Sequence, residues 1–235
     1  NINIGIDGGK DSLTMNTKIY ENSSEENTTS KTVVSPNTLV IKSYAPCEDV
    51  NIKVTPELKR PDNPIIFIDL SRGHKRLGGS ALLQTLGKTL EYSVCPNFEY
   101  SNSDNSIVVQ QIWDIIQTEI ESGLIVSGHD ISDGGLITTI IEMSIASYYG
   151  VDININIDNN NISCIEYFFA EEMGIVIELD KNRKNDIKHF IDRINLLDLD
   201  NIIAHNIGYV SNDDNISINY NDDNIYNNKR TNALR

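Results

Sequence analysis

The residues Ser127-Gly128-His129-Asp130-Ile131-Ser132-Asp133-Gly134-Gly135-Leu136 form the densest cluster of groups able to do chemistry in this chain. An apolar run at 124–126 leads into them and an apolar-periodic run at 137–149 follows, an order that predicts strand, tight polar turn and helix N-terminus. A helix N-terminus leaves backbone N–H groups unpaired at the positive end of the helix dipole, and Gly134 and Gly135 would let a phosphate approach them closely. Asp130 repels a bare phosphate, so a carboxylate there makes sense as a ligand when a divalent cation sits between the two. A second reading stands beside this one: Ser132 or Asp133 caps the helix and the glycines only turn the chain.

Three other stretches carry reactive types. Asp7-Gly8-Gly9-Lys10-Asp11-Ser12 is a glycine turn in which Lys10 can pair with phosphate while Asp11 and Ser12 can hold a metal or cap a helix. It departs from the phosphate-binding GxxxxGK[ST] pattern, with Ile4 at the first glycine and Asp11 after the lysine, so a solvated turn is the plainer reading. Arg72, Lys75 and Arg76 make a basic cluster just before Gly78, Gly79 and Ser80, fit for phosphate contact or for a solvated helix entry, with His74 as a surface residue. Glu171 and Glu172 either face a ligand or end a helix in solvent.

The elements that would position these groups alternate in type. Strands are expected over 1–6, 38–45, 49–54, 65–70, 151–157, 174–179, 202–210 and 216–220, and helices over 81–88, 107–122, 164–171 and 183–196. In the 107–122 helix, apolar residues recur at 108, 109, 112, 115, 116 and 120, Gly123 stops it, and Trp113 is expected in the core. Residues 21–31 have no apolar side chain to bury and read as a mobile surface loop. The proline-rich stretch 55–64 is the natural domain boundary, and no internal repeat is evident.

Composition narrows the function. The 235 residues include 34 acidic and 19 basic ones, a net charge of −15 that excludes a general nucleic-acid or anionic-membrane binder. A nucleotide site here would rest on metal ions, backbone N–H groups and a few local cations. Cys47, Cys95 and Cys164 are widely spaced, without a CxxC pair, and suit reduced thiols of a cytoplasmic protein. No apolar run approaches the roughly 20 residues of a membrane span, and no signal-peptide pattern opens the chain. The first residue is Asn1 rather than Met, which gives the expectation of a piece of a longer polypeptide.

Four motifs in one order carry a resemblance: Asp7-Gly8-Gly9-Lys10-Asp11-Ser12-Leu13; Asp69-Leu70 with Arg76-Leu77-Gly78-Gly79-Ser80-Ala81-Leu82; Gly128-His129-Asp130 through Gly135-Leu136; and Ala170-Glu171-Glu172-Met173-Gly174. Together they resemble the second synthetase half of the large, multidomain phosphoribosylformylglycinamidine synthase family. The resemblance implies an α+β, aminoimidazole ribonucleotide synthetase-like fold. Residues 1–62 would close an N-terminal subdomain, 63–222 would form a C-terminal α/β-sandwich subdomain, and 223–235 would begin a linker toward a glutaminase domain. It implies a carbon–nitrogen ligase of purine biosynthesis that uses ATP, Mg²⁺ and glutamine to convert formylglycinamide ribonucleotide to its amidine. In that family ATP phosphorylates the amide oxygen and ammonia from glutamine then displaces phosphate.

By the same resemblance Asp130 matches the metal aspartate and Ser132 the nucleotide-contacting serine. Lys10, Gly78, Gly79 and Ser80 line the ATP cavity, with Asp11 and Ser12 beside them. The implied partners are the nucleotide, the ribonucleotide substrate, a first synthetase half and the glutaminase, with no nucleic acid and no membrane. The family's remaining metal ligands fall upstream of Asn1, so the piece alone is expected to be inactive, and the apolar faces an incomplete subdomain would expose give the expectation of poor solubility. No cysteine sits in a nucleophile-elbow context. Two alternatives stand: a structural half that permanently holds an auxiliary Mg-nucleotide such as ADP, or a stand-alone relative similar to selenophosphate synthetase or thiamine phosphate kinase.

Overall fold

The computed structural model describes residues 5–10, 15–22, 28–35, 39–47, 49–88, 94–97, 103–157, 162–198, 201 and 203–233. Asp11, Ser12 and most of the strand expected over 1–6 lie outside these residues. The chain divides into two compact units between Val50 and Asn51.

The first unit contains strands β1 (Asn16–Asn22) and β2 (Thr28–Val34), which pair antiparallel with Ile19 opposite Lys31 and Thr17 opposite Val33. Much of the loop expected over 21–31 is therefore strand. A Thr- and Val-rich segment suits an extended backbone, and ladder hydrogen bonds form without an apolar face to bury. The strands expected over 38–45 and 49–54 do not form in the described residues: 39–47 and 49–54 are irregular, and Leu39 is 85% exposed. Apolar residues favour extension, but a strand exists only with a partner for its N–H and C=O groups.

The second unit runs β3 (Pro64–Asp69), α1 (Ala81–Thr85), α2 (Ser103–Glu121), β4 (Ile125–Asp130), α3 (Gly135–Ile145), β5 (Gly150–Ile155), α4 (Cys164–Phe169), β6 (Gly174–Leu179), α5 (Lys184–Asn195), β7 (Ala204–Ser211), β8 (Asn215–Tyr220), β9 (Asp223–Lys229) and α6 (Arg230–Ala233). Among the described residues its seven strands lie in the order β4-β6-β3-β7-β5-β8-β9, and every neighbouring pair is antiparallel except β5 with β8. This is the mixed sheet with helices expected of an α+β fold.

β3 is buried along its whole length because both its faces are covered. Ile65 and Phe67 join Leu136, Ile140 and Phe168 of α3 and α4 on one side, while Ile66 and Ile68 join Ile112, Ile116, Phe190 and Ile194 of α2 and α5 on the other. Each such fully buried side chain contributes about 1.5–3 kcal/mol of transfer free energy. β5 and β8 bury only alternate residues, Val151, Ile153 and Ile155 with Ile216, Ile218 and Tyr220, so this end of the sheet has one covered face. Trp113 departs from expectation at 40% exposed, since the stripe centres between Ile112 and Ile116 and Trp113 sits at its margin.

Two further segments differ from the sequence reading. The proline-rich stretch is tied down: Leu58 is buried, and the buried Glu178 accepts from Lys59 N (2.8 Å), Arg60 N (3.0 Å) and Asn63 Nδ2 (2.6 Å). Burial pushes the Glu178 carboxyl above its ordinary value, and these three hydrogen bonds, with the Lys59 charge, offset only part of the rise. The polar tail after Asn221 adds strand β9 to the free edge of β8, and Arg230 Nε closes on Asp214 Oδ1 at 2.9 Å.

Candidate functional site

The glycine-rich turn is shorter than expected because β4 extends into it. Ser127, Gly128, His129 and Asp130 are the last residues of the strand, which pair with β6, and the turn itself is only 131–134. β4 is an edge strand. Its outer side is covered near Gly128, whose N–H donates to the Thr55 carbonyl at 3.1 Å, while Ser127 Oγ donates to the carbonyls of Thr55 (3.0 Å) and Pro56 (3.1 Å).

Asp130 therefore sits at a strand end with its side chain 76% exposed. Its backbone is held: the Asp130 carbonyl accepts from Thr139 Oγ1 at 3.1 Å and lies 2.7 Å from His129 Nδ1. A carbonyl only accepts, so that contact puts a proton on Nδ1. Nε2 of the same ring lies 3.3 Å from Glu142 Oε2. Ser132 is exposed, and its carbonyl, not its hydroxyl, ties the turn by accepting from Gly135 N at 3.0 Å. The cap expected from Ser132 or Asp133 is absent: the residue preceding α3 is Gly134, at φ 88°. Gly135 follows at φ 73°, and a Cβ there would lie 2.6 Å from the Phe168 carbonyl oxygen. These two glycines serve the chain's own packing.

The basic loop after β3 differs as well. Each cation singled out in the sequence has a carboxylate: Arg72 Nε with Asp198 Oδ2 (3.2 Å), Lys75 Nζ with Asp69 Oδ2 (2.6 Å) and Arg76 Nε with Glu172 Oε1 (2.6 Å). Lys75 is 5% exposed, lies over the rings of Phe67 (5.4 Å) and Tyr167 (5.3 Å), and also reaches Ser71 Oγ at 3.2 Å. Burial alone would push the Asp69 carboxyl up, but the Lys75 charge and hydrogen bonds from Lys75 and Ser71 outweigh it and hold the group below its ordinary value. His74 is exposed, as expected. Among the groups expected to line a nucleotide cavity, Gly78 is packed against its own chain, donating to the Val94 carbonyl at 3.0 Å, with room there for no Cβ. Ser80 is buried and caps α1, its Oγ accepting from Leu83 N at 3.4 Å. Gly79 is exposed at φ 78°. Lys10 is exposed in the first unit.

What joins the turn to the basic loop is the carboxylate pair after α4, for which the sequence offered a ligand-facing role or, more simply, a solvated helix end. Glu171 Oε1 accepts two N–H groups, Gly134 N and Ala81 N, each at 2.8 Å. Glu172 is buried and takes three hydrogen bonds from Arg76: Nε at 2.6 Å, Nη2 at 2.8 Å and the backbone N at 3.1 Å. α4 stops at Phe169, so neither glutamate is helical and both turn inward. One of the N–H groups at the start of α3 that suggested a phosphate cradle, that of Gly134, is thus already taken by a protein carboxylate. The signal for this was the pairing of two acidic residues with a distant arginine, which no local periodicity displays.

A cleft of about 620 Å³ opens beside Asp69 and Lys75, lined also by Asn154, Tyr167, His205 and Asn206. Cys47, Cys95 and Cys164 are free thiols, and burial with the nearby Asp223 charge pushes the Cys164 thiol up, away from reactivity. Among the described residues no group of three or more His, Cys, Asp or Glu side chains is placed to share a metal ion. Asp130 fits as one exposed oxygen ligand of a hard cation whose shell needs about six.

A family model described as "AIR synthase related protein, C-terminal domain" matches residues 60–221. The chain belongs to that family. Several curated relatives carry the name phosphoribosylformylglycinamidine synthase. Phosphoribosylformylglycinamidine synthase of Dictyostelium discoideum is 35% identical over 202 residues, 83% of this chain and 14% of that protein. The probable chloroplastic/mitochondrial phosphoribosylformylglycinamidine synthase of Arabidopsis thaliana is 38% identical over 182 residues, and the Homo sapiens protein 33% over 182, each match covering 77% of this chain and 12% of the relative. The chain thus spans 12–14% of the length of these relatives. Among solved structures, T. maritima PurL complexed with ATP superposes with a TM-score of 0.53 at 11% identity, covering 77% of this chain and 27% of that one. T. maritima PurL complexed with FGAR gives 0.52 at 12%, covering 77% and 29%. At such identity the likeness is one of fold, and it agrees with the AIR synthase-related assignment.

Proposed function

We propose that this chain belongs to the second synthetase half of an enzyme that converts formylglycinamide ribonucleotide to its amidine, with ATP and with glutamine as nitrogen donor. What carries the reading is the 33–38% identity to relatives named phosphoribosylformylglycinamidine synthase over about four-fifths of the chain. The PurL complexes with ATP and with FGAR support nucleotide and ribonucleotide as ligands of this fold. The first synthetase half and the glutaminase are proposed as parts of the same polypeptide, and the cytoplasm as its location. No described helix is long and apolar enough to cross a membrane.

In this reading Asp130 holds Mg²⁺ and Ser132 contacts the nucleotide. When bound, the cation neutralises phosphate charge beside the strand end. The chain's own residues do the positioning: Thr139 fixes the Asp130 backbone, Gly135 seats the turn on α4, and Gly79 leaves backbone accessible next to the buried Ser80. Gly78, Gly79 and Ser80 shape the nucleotide site by holding loop geometry, and Lys10 is proposed separately as a phosphate contact.

The test is Asp130→Ala in the full-length polypeptide. Loss of amidine formation with an unchanged melting temperature is the expected result. Loss of thermal stability with turnover intact would instead assign this half to permanent retention of an auxiliary nucleotide.

A further inference from the structure

Glu171 occupies an unusual place for an acidic side chain in so acidic a chain. One oxygen, Oε1, receives the N–H of Gly134, the residue preceding α3, and the N–H of Ala81, the first residue of α1, each at 2.8 Å. Both are helix-start donors that no intrahelical carbonyl can satisfy. A carboxylate is the best acceptor for two converging donors at once, and at two helix starts it is favoured by both dipoles. Its own aim is set from either side. Ala170 is buried before it, and Glu172 after it is held by three hydrogen bonds from Arg76.

The two donors belong to different loops. Gly134 lies four residues after Asp130 and two after Ser132, and Ala81 directly follows Gly78-Gly79-Ser80. The single oxygen therefore sets the distance between the loop that carries the exposed carboxylate and the loop that carries the glycine pair.

We infer that Glu171 is a positioning residue, which fixes the spacing of these two loops by accepting a backbone N–H from each and itself touches no substrate. The inference rests on the proposed function for what the loops hold, a Mg-nucleotide, but not for the geometry. It explains why an anionic side chain lies in what would otherwise be an anion site. With these donors taken, the loops keep their spacing before any phosphate arrives.

The experiment compares Glu171→Ala with Glu171→Gln in the full-length polypeptide. Gln keeps an oxygen able to accept both N–H groups, and Ala removes it. For Glu171→Ala, the KM for MgATP is expected to rise roughly ten-fold, the scale of one lost charge-assisted hydrogen bond, with kcat within about two-fold. Glu171→Gln is expected to restore KM to within about three-fold of the parent, because a neutral acceptor is weaker but still spans both donors. In parallel, amide hydrogen exchange is expected to quicken at Gly134 and Ala81 in the Ala variant and to stay slow in the Gln variant.

Equal impairment of the Gln and Ala variants would overturn the inference, because the charge itself would then be at work. So would a fall in kcat with KM unchanged, or unaltered exchange at both amides in Glu171→Ala. Loss of protection spreading to the β3 and β6 amides would overturn it in favour of a general structural role. If the parent polypeptide forms no amidine, the proposed function fails while the exchange data still decide the role of Glu171.

Discussion

The turn after β4 and the loop after β3 are both short, glycine-bearing and charged, yet they treat charge in opposite ways. At the turn, Asp130 stays exposed: Thr139 and His129 hold its backbone carbonyl, and its carboxylate lies 3.3 Å from His129 Nδ1 without being buried. The loop buries Lys75 against Asp69 and Arg76 against Glu172, with side-chain exposures of 5%, 10%, 17% and 4%. An ion removed from water costs several kcal/mol unless its partner and hydrogen bonds are in place, so buried pairs hold a loop in one geometry. An exposed carboxylate keeps its hydration and can exchange it for a ligand. Charge in the loop builds the frame, and charge in the turn remains available.

Substitutions can break that contrast, beginning with the largest effect. Glu172→Ala leaves the Arg76 guanidinium buried without its carboxylate and should cost about 3–5 kcal/mol. Unfolding in urea, followed by the fluorescence of the chain's one tryptophan, Trp113, measures it. A cost below about 1 kcal/mol would show that the loop does not depend on its buried pair. Gly135→Ala puts a Cβ 2.6 Å from the Phe168 carbonyl oxygen at φ 73°, and should cost about 2–4 kcal/mol on the same scale.

A pH series sharpens the comparison next. The Asp69 carboxyl is held below its ordinary value, so its contribution is fully present above about pH 4 and is lost as pH falls through the lower folded value. Asp69→Asn should therefore flatten the acid limb of stability below about pH 4. Glu178 runs the other way. Burial raises its carboxyl, which disfavours the ionised folded state at neutral pH, and that penalty is relieved as pH falls through the raised value toward about 4.3. The smallest stability effect belongs to Asp130→Asn, within about 0.5 kcal/mol for so exposed a site. Its signature should instead be loss of Mg²⁺-dependent nucleotide binding in titration calorimetry of the full-length polypeptide.

The same contrast explains what was legible in the sequence. β3, β6 and α2 follow from their apolar patterns, because local periodicity already states which face is buried. Asp130 and Ser132 were visible as a motif, and the structure leaves both exposed. The pairing of Arg76 with Glu172 was not visible, since the partners lie 96 residues apart and every ion pair competes with water until the fold brings them together. Nor could a polar pattern reveal β9, whose Tyr226 pairs with Ile218 because β8 leaves a free edge to fill. Gly134 and Gly135 were legible as flexible residues, but the use of Gly135, in packing against the Phe168–Phe169 backbone, depends on neighbours far along the chain.

The position of β4 at the border of the sheet has a consequence for self-association. An uncovered edge strand offers a row of N–H and C=O groups on which another chain's strand can add, the first step of many aggregates. Here the segment at Thr55-Pro56 takes up the backbone and hydroxyl donors of Ser127-Gly128, and proline, having no N–H, cannot pass the ladder outward. The two residues beyond this guard, His129 and Asp130, are too few to template a strand, and the Asp130 side chain at the end of the border is 76% exposed. One irregular, proline-bearing segment thus closes the border to other strands and leaves the carboxylate at its end in solvent.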